Sequence, residues 1–393
     1  DMTSEWHEVP LRELVGYISK GIAPSYAEEA SETTIRVLNQ KCNRNFRISY
    51  GDSRLHDTMK KKVSPDGYVK PDDILINSTG AGTAGRIAQI EDVPSATTID
   101  GHMILIRSNG KVTQKFLGYA LKAHQWEVLQ LDEGSTGQTE LNRDRLLDEI
   151  MINYPVSLDE QNAIVGTLES IDRKLIVNEQ LNDNLQQQAT ALFSSLYDRS
   201  NTEVRFTDLI QILGGGTPKT GENTYWNGNI AFFTPKDVGI PYTLITEKTI
   251  SKEGLSHCNS RLYPVNTVFV TARGTVGKVG MSGVPMAMNQ SCYALVGKET
   301  HQLLVYFYTL KAVDRLKHKA SGAVFDAITT RDFESEQIMK LSDDDATAFL
   351  CVAEPMFQEI LNNNIENLRL STLRDSLLPK LMSGEIDVSA VQL

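Results

Sequence analysis

Residues 9–21, VPLRELVGYISKG, and residues 204–216, VRFTDLIQILGGG, are variants of one stretch, and they decide the fold. Further matches follow in the same order: IRVLNQK at 35–41 with IAFFTPK at 230–236, DILIN at 73–77 with TVFVT at 267–271, GTAGR at 82–86 with GTVGK at 274–278, and LKA at 121–123 and 310–312. Ordered matches whose offset drifts slowly indicate a tandem duplication. We therefore predict that the 393 residues hold two copies of one unit.

Each copy opens with a globular part of mixed character. Its short apolar runs are bounded by Gly, Pro, Asn and Asp, which predicts strands and turns. These runs are Ile74–Ile76 and Met103–Ile106 in the first copy, and Val268–Val270 and Tyr293–Val296 in the second. A helical stretch follows near Phe116–Leu129 and near Leu303–His318. Together these patterns predict an α/β (α+β) mixed fold.

Each copy closes with a long helix. Between Ser157 and about Tyr197 there is no Pro, and apolar residues recur in alternating steps of four and three, as in a coiled-coil seam. Ser157 and Glu160 form a capping box that starts this helix. In the second copy Pro355 is expected to break or restart the helix, and Gly384 to end it. The predicted seam residues are Leu168, Ile171, Leu175, Asn178, Leu185 and Leu192, then Phe357, Leu361, Asn364 and Leu368.

Two such helices can bury their seams against each other, or each can pack on its own domain. Polar Asn178, Asn182 and Asn364 are costly inside a single domain, but between two helices they set the register. We therefore favour paired helices. The predicted domains are a globular domain over 1–155, a central helix over 156–200, a second globular domain over 201–340 and a C-terminal helix over 341–393.

Several short motifs, all in the second copy and its C-terminal tail, point to a known family. They are GTPK at 216–219, YWNG at 225–228, TPKD at 234–237, RGTVGK at 273–278, NQ at 289–290, ASG at 320–322 and LLPKLMSGEI at 377–386. With its two copies and two long helices, the chain resembles the DNA-specificity (S) subunit of type I restriction–modification enzymes. The first copy departs from the pattern, because it has GIAP at 21–24 and no Tyr-Trp pair.

The resemblance implies two target-recognition domains separated by helices that pair as an antiparallel coiled coil. Each domain would read one half-site of an asymmetric bipartite target in double-stranded DNA, and the coiled coil would set the gap as a ruler. The chain itself would be non-catalytic. The expected partners are DNA methyltransferase (modification) subunits, two in number, and motor–nuclease (restriction) subunits in the full complex. S-adenosylmethionine, ATP and Mg²⁺ are expected on those partners, with no cofactor or metal on this chain.

Candidate DNA contacts are basic side chains, which bind phosphates, and amides or hydroxyls, which bind base edges or phosphates. Residues 36–62 have eight basic and two acidic side chains, although a solvated lysine-rich loop stays an alternative. The first-copy candidates are Lys20, Asn39, Gln40, Lys41, Asn43, Arg44, Arg47, Lys60, Lys61, Lys62, Arg86, Ser135, Thr136 and Gln138. The second-copy candidates are Thr217, Lys219, Thr220, Lys236, Arg273, Lys278 and Ser321.

The net charge of −11 argues against a nucleic-acid binder until its distribution is considered. Residues 156–200 contribute −4 and residues 340–393 contribute −5, so the acidity belongs mainly to the helices. Two rival interpretations stay open: an enzyme that binds a nucleotide or cofactor with Gly-rich loops, and a coiled-coil scaffold without DNA contact. Residues 214–220 resemble a P-loop, but Pro218 stands where its last Gly belongs.

The sequence also carries expectations about the cellular compartment. The four cysteines are far apart, no apolar run reaches membrane-span length, and no signal-peptide pattern is present. We therefore expect a cytoplasmic protein of a bacterium or archaeon.

Overall fold

A computed structural model of the chain describes residues 5–133, 140–319 and 326–391. The chain divides into two compact units. Unit 1 consists of Asp1–Lys174 with Leu370–Leu393, and unit 2 is Leu175–Arg369. The division runs through both long helices, so each unit contains a globular part and one end of each helix. No helix in the described ranges combines the length and apolarity needed to cross a lipid bilayer.

Unit 1 is a mixed α/β unit. Its strands are β1 (Trp6–Pro10), β2 (Val15–Lys20), β3 (Tyr26–Ala27), β4 (Thr34–Leu38), β5 (Asn43–Arg44), β6 (Arg47–Ile48), β7 (Arg54–Asp57), β8 (Ile74–Asn77), β9 (Ile87–Gln89), β10 (Thr97–Ile99), β11 (Met103–Ser108), β12 (Asp132–Glu133), β13 (Glu140–Leu141) and β14 (Met151–Pro155). Its helices are α1 (Gln114–Ala123), α2 (Gln125–Leu129), α3 (Arg143–Glu149) and the first part of α4 (Leu158–Asp198).

Unit 2 repeats this plan. Its strands are β15 (Thr202–Arg205), β16 (Ile210–Gly214), β17 (Trp226–Phe233), β18 (Tyr242–Thr243), β19 (Lys248–Ile250), β20 (Val268–Thr271), β21 (Val279–Ser282), β22 (Met286–Met288), β23 (Cys292–Gly297) and β24 (Gln337–Lys340). Its helices are α5 (Phe206–Leu209), α6 (Lys252–Ser256), α7 (Gln302–Lys319), α8 (Thr330–Ser335) and most of α9 (Asp343–Met382).

The sheets confirm the predicted duplication. The main sheet of unit 1 has the order β2-β11-β8-β9, and that of unit 2 has the order β16-β23-β20-β21-β18. In each unit a second sheet contains one parallel pair, β4 with β10 and β17 with β22. An antiparallel pair closes each copy, β1 with β14 and β15 with β24. All four apolar runs predicted as strands lie in the main sheets. Three of them are buried on both faces, while Tyr293 and Val296 of the fourth are only partly buried.

α4 and α9 pair in antiparallel fashion within unit 2. Asn178 Nδ2 donates to Glu366 Oε2 at 2.7 Å and to Asn367 Oδ1 at 2.8 Å. One turn further along α4, Asn182 Nδ2 donates to Asn364 Oδ1 at 2.9 Å. Partner numbers fall as the α4 numbers rise, so the two helices run in opposite directions. The predicted antiparallel pairing is confirmed.

The polar residues form a buried layer inside this pair. Asn178 is 1% exposed, and Asn363, which donates from Nδ2 to Asn182 Oδ1 at 2.9 Å, is 5% exposed. Leu175 of α4 and Leu361 of α9 lie close to this layer in the sequence and are also buried. A layer whose amides satisfy one another tolerates only one register, because sliding either helix leaves buried amides without partners.

Two details of the helices differ from the sequence prediction. α9 runs through Pro355 without a break. Pro355 is exposed, so water can reach the carbonyl that it frees, while Ala353 and Phe357 are buried on either side and hold the helix in place. The seam position predicted for Leu368 is also wrong, because that side chain is 37% exposed and the amide layer faces the partner helix instead.

A charged network fastens the helices to the globular part of unit 1. Asp172 of α4 accepts hydrogen bonds from Tyr119 Oη at 2.8 Å, Lys122 Nζ at 3.1 Å and Arg374 Nη1 of α9 at 2.9 Å. Burial raises the pKa of Asp172, but the two cations and the phenol outweigh burial and bring that pKa below its usual value. The ionised carboxylate thus stabilises the folded unit.

We expect Arg374→Met to lower the free energy of unfolding by about 2 kcal/mol, because it leaves a largely buried carboxylate short of one partner. Urea unfolding at neutral pH measures this loss. Since the folded-state pKa of Asp172 is depressed, its contribution is lost as pH falls through that pKa, and the difference between variant and wild type should shrink in acid. Arg369→Met, on an exposed position of the same helix, is the matched control. Equal losses in the two variants would contradict the role of the network.

Candidate nucleic-acid interface

One edge of the main sheet in unit 1 gathers three loops. β11 is antiparallel to both β2 and β8, so the carboxyl ends of β2 and β8 meet the amino end of β11. Gly21 N donates to Met103 O at 3.0 Å, and Ser78 N donates to His102 O at 2.8 Å. Residues 20–24, 78–86 and 100–102 therefore lie together, and we call them loop edge 1.

Unit 2 builds the same edge from its own loops. Gly216 N donates to Met288 O at 3.1 Å, and Ala272 N donates to Ser291 O at 2.8 Å. Thr217 Oγ1 donates to the side chain of Gln290 and so ties two of the loops together. Residues 215–220, 272–278 and 289–291 form this surface, which we call loop edge 2.

A glycine at the end of the duplicated stretch is required in both copies. A Cβ on Gly21 would lie 2.1 Å from Asp100 O, and a Cβ on Gly215 would lie 2.1 Å from Asn289 O. No side chain fits at such distances, so only glycine lets the two loops approach. The same kind of contact assembles each edge, although Gly215 lies one position before the residue that aligns with Gly21.

Cations predicted from the sequence lie on or beside loop edge 1. Lys61 Nζ donates to Ala23 O at 2.9 Å, which brings the lysine-rich turn to this edge. Arg86 is exposed and donates from Nη2 to Gly82 O at 3.2 Å. Lys20 is paired with Glu140 at 2.7 Å, so part of its charge is neutralised within the protein.

The other basic candidates of unit 1 are less closely tied to the edge. Lys60 lies 3.8 Å from Asp57, and Lys62 is exposed in the same turn. Lys41 and Arg44 are exposed and line a cleft with Arg86. Arg47 lies half-buried on β6, in the hairpin that follows.

Two predicted base-reading amides have structural partners. Asn39 Nδ2 donates to Asp52 O at 2.8 Å, and Asn39 Oδ1 accepts from Lys41 N at 2.8 Å. Asn43 is 1% exposed, and its Nδ2 donates to Asn77 Oδ1 at 3.1 Å and to Arg86 O at 2.8 Å. The Nδ2 of Asn43 is therefore committed to the protein, which the sequence pattern did not indicate. Gln40 lies beside it and lines the same cleft.

In unit 2, Thr217, Lys219, Thr220, Arg273 and Lys278 all belong to loop edge 2. Lys219 O accepts a hydrogen bond from Trp226 Nε1 at 3.1 Å, and Trp226 anchors the loop through this bond. Lys236 follows β17 and is 81% exposed, with Glu247 3.9 Å away. The candidates Ser135, Thr136, Gln138 and Ser321 lie outside the described residues.

Sequence reasoning missed other polar groups of loop edge 1. Thr79 Oγ1 and His102 Nδ1 are 2.7 Å apart, and Asp100 Oδ1 accepts from His102 N at 2.9 Å. Asp100 is buried, and burial raises the pKa of its carboxyl. The cations of loop edge 1, in contrast, face solvent. The sequence signal was present, because residues 100–102 align with Asn289–Ser291 of the second copy.

The chemistry of both edges suits an anionic polymer better than catalysis. Each combines exposed cations with hydroxyls and backbone N–H groups, the groups that bind phosphate and base edges. In the described ranges, no three His, Cys, Asp or Glu side chains come together in a group that would hold a metal ion.

We expect the combined variant Lys41→Ala, Lys61→Ala, Arg86→Ala to weaken duplex DNA binding and to flatten its salt dependence. Each lost phosphate contact should reduce the slope of log K against log salt by about 0.9. DNA titrations of the assembled protein at several salt concentrations measure both effects. Lys111→Ala is the control, because Lys111 follows the carboxyl end of β11 at the opposite edge of the sheet. A triple variant that is folded and has an unchanged slope would refute this interface.

Comparisons with known proteins agree with this arrangement. The family model "Type I restriction modification DNA specificity domain" matches residues 3–187 and 199–340. The HindI specificity subunit of Haemophilus influenzae, a type I restriction enzyme subunit, is 28% identical over 186 residues, which are 46% of this chain and 40% of that protein. The MjaIX specificity subunit of Methanocaldococcus jannaschii is 29% identical over 127 residues, 31% of this chain and 29% of that protein. The matched region thus spans less than half the length of either relative.

A solved structure shares the fold. The S subunit of a type I restriction–modification system from M. genitalium matches with a TM-score of 0.64 at 14% identity, covering 97% of each chain. The fold class predicted from the sequence is therefore confirmed. With a family model that matches both copies, the chain belongs to the type I restriction–modification DNA specificity family.

Proposed function

We propose that this chain is the non-catalytic, DNA-reading subunit of a type I restriction–modification complex. The observation that carries the proposal is that two loop edges are built on the same backbone plan but present different side chains. Gln40 aligns with Pro235, and His102 aligns with Ser291. Two units with the same backbone plan but different loop side chains suit the reading of two unlike half-sites of double-stranded DNA, one by each unit.

The helix pair is proposed to act as the ruler between the half-sites. α4 has 41 residues and α9 has 40, so each helix is about 60 Å long at 1.5 Å per residue. The amide layer supports this role, because a pair locked in one register keeps its length. A fixed length makes the gap between half-sites a geometric quantity, as half-site spacing is in dimeric DNA binders.

Partner subunits would supply the chemistry. We propose that two DNA methyltransferase subunits dock on the helices, and that motor–nuclease subunits join them. The helices offer exposed apolar side chains for such docking: Val177 and Leu181 of α4 and Val352 of α9 are 40–49% exposed. S-adenosylmethionine, ATP and Mg²⁺ would then be bound by the partners, and the complex would act in a bacterial or archaeal cytoplasm.

The rival interpretation as a nucleotide-binding enzyme finds little support in the loop that suggested it. A P-loop leads from a strand directly into a helix, whose N-terminus helps to hold the phosphates. Residues 215–222 contain no helix, and the short 3-10 turn Asn223–Tyr225 and then β17 follow them. The other rival, a scaffold without DNA contact, gives no reason for cations on both loop edges.

Exchange of residues 1–155 for those of another family member tests the modular assignment. We expect exactly one half-site of the methylated target to change, because the loops of unit 2 stay intact. Single-molecule methylome sequencing of a host that produces the hybrid with its methyltransferase subunits reads both half-sites. The matched experiment exchanges residues 201–340 and should change the other half-site.

A change in both half-sites after either exchange would contradict one half-site per unit. Loss of all methylation by a folded hybrid that still assembles with its partners would also count against it.

A further inference from the structure

A cleft of about 650 Å³ opens beside loop edge 1. It lies between the turn at residues 40–46 and the loop at residues 80–87, and Gln125 and Leu129 of α2 line its wall. Pockets that bind small molecules measure about 300–1,000 Å³, so this cleft has room for one nucleotide.

Three of the side chains that line the cleft have a buried polar atom that needs a partner. In the part of the chain that the structure describes, Oδ1 of Asn43, Oε1 of Gln40 and Oγ1 of Thr83 are buried without a hydrogen-bond partner. Buried polar atoms are almost always paired, so an unpaired group of them indicates a place for a ligand or water. Two of the three are amide oxygens, which only accept, and the ligand must therefore donate.

The side-chain amide of Asn43 cannot rotate to bring its Oδ1 to a hydrogen-bond donor of the protein. Its Nδ2 is held by Asn77 Oδ1 at 3.1 Å and by Arg86 O at 2.8 Å, which fixes the amide plane and the direction of Oδ1. With 1% of the residue exposed, this acceptor is recessed in the unit. Its surroundings pre-organise one acceptor position.

The rim of the cleft is cationic and includes a flat apolar ring. Lys41, Arg44 and Arg86 line it and are exposed. Phe46 lines it too, at a positive φ of 62°, a conformation that is rare for an aromatic residue and is held here by the β5–β6 hairpin. A ligand that matches has N–H donors, a flat body and an anionic group, which together describe a nucleotide.

We propose that this cleft receives one nucleotide of the target that has left the duplex stack, and that its base is adenine or cytosine. The exocyclic amine would donate to Asn43 Oδ1 and Gln40 Oε1, while Lys41, Arg44 and Arg86 hold the adjoining phosphates. Bases that stay stacked present their edges in a groove and do not reach a recessed acceptor, so the base must be extruded. Thymine and guanine are rejected because each has a carbonyl oxygen at the ring position where cytosine and adenine have the amine.

The inference rests on the proposed function only in taking the nucleotide from target DNA. It applies to unit 1 alone, because Pro235 aligns with Gln40 and offers no side-chain acceptor. Extrusion is therefore expected in one half-site and not in the other.

Mononucleotide titration tests the pocket without partners or a target sequence. The full chain is titrated with dAMP, dCMP, dTMP and inorganic phosphate by ligand-observed NMR. We expect dAMP and dCMP to bind at least about tenfold more tightly than dTMP, the discrimination typical of a site built to pair a polar group. Gln40→Met should remove most of this preference, Gln40→Glu should retain it, and Gln188→Met on the exposed face of α4 should change nothing. Equal binding of all three nucleotides, binding of phosphate alone, or an unaltered preference in Gln40→Met would overturn the proposal.

Extrusion is tested on the target duplex with 2-aminopurine placed next to each adenine or cytosine of the half-site that unit 1 reads, so that the base proposed to enter the cleft keeps its own amine. One probe should brighten several-fold in the assembled complex, as expected when its neighbour leaves the stack, and Gln40→Met should abolish that brightening, which separates it from extrusion by the methyltransferase subunits. No brightening at any position would overturn the proposal even if the duplex binds tightly. A complex that fails to bind any duplex would instead refute the proposed function, so the two failures are distinguishable.

Discussion

The pairing of two amphipathic helices is the constraint on which the rest of this structure depends. An amphipathic helix of about 40 residues has an apolar stripe whose exposure to water is unfavourable. α4 and α9 bury their apolar stripes against each other and against the globular parts. In unit 2 the buried aromatic residues Phe193, Phe307 and Phe349 bring α4, α7 and α9 into one core. In unit 1 the carboxylate of Asp172 joins α4, α1 and α9. The C-terminal part of α9 thus completes unit 1, although the rest of that unit lies far away in the sequence.

Within each unit, the antiparallel main sheet brings the same three loops of the duplicated sequence together in one loop edge. Because β2 and β8 flank β11, three loops must meet at one edge, and the same holds for β16, β20 and β23. A glycine permits the close approach of the first and third loops in both copies, Gly21 in unit 1 and Gly215 in unit 2. The side chains of the loops differ between the two copies, as His102 and Ser291 do. This separation of backbone plan and surface side chains is what the proposed reading of two unlike half-sites requires.

The sequence predicted the parts of the structure that depend on local pattern. The strands at Ile74 and Val268, the start of α4 after Ser157 and the end of α9 before Gly384 all follow from apolar runs, caps and turns. Pro355 and Leu368 were mispredicted because tertiary packing decides both: buried neighbours carry α9 through the proline, and the amide layer displaces Leu368 from the seam. Asn43 was predicted to be a DNA contact from its residue type, yet the orientation of its side-chain amide depends on a hydrogen bond to Asn77, 34 residues away in the sequence. Such long-range pairings are invisible in a single sequence.

The measurement that tests the account most directly lengthens the helix pair where the chain passes from one unit to the other. Seven residues are inserted after Lys174 in α4 and seven after Arg369 in α9, because a whole heptad keeps the seam in phase. The insertion adds about 10 Å, or about three base pairs of DNA, to the distance that the pair spans. Methylome sequencing should then show both half-sites unchanged and the gap between them longer by about three base pairs. A gap of unchanged length, or a change in either half-site, would contradict the account.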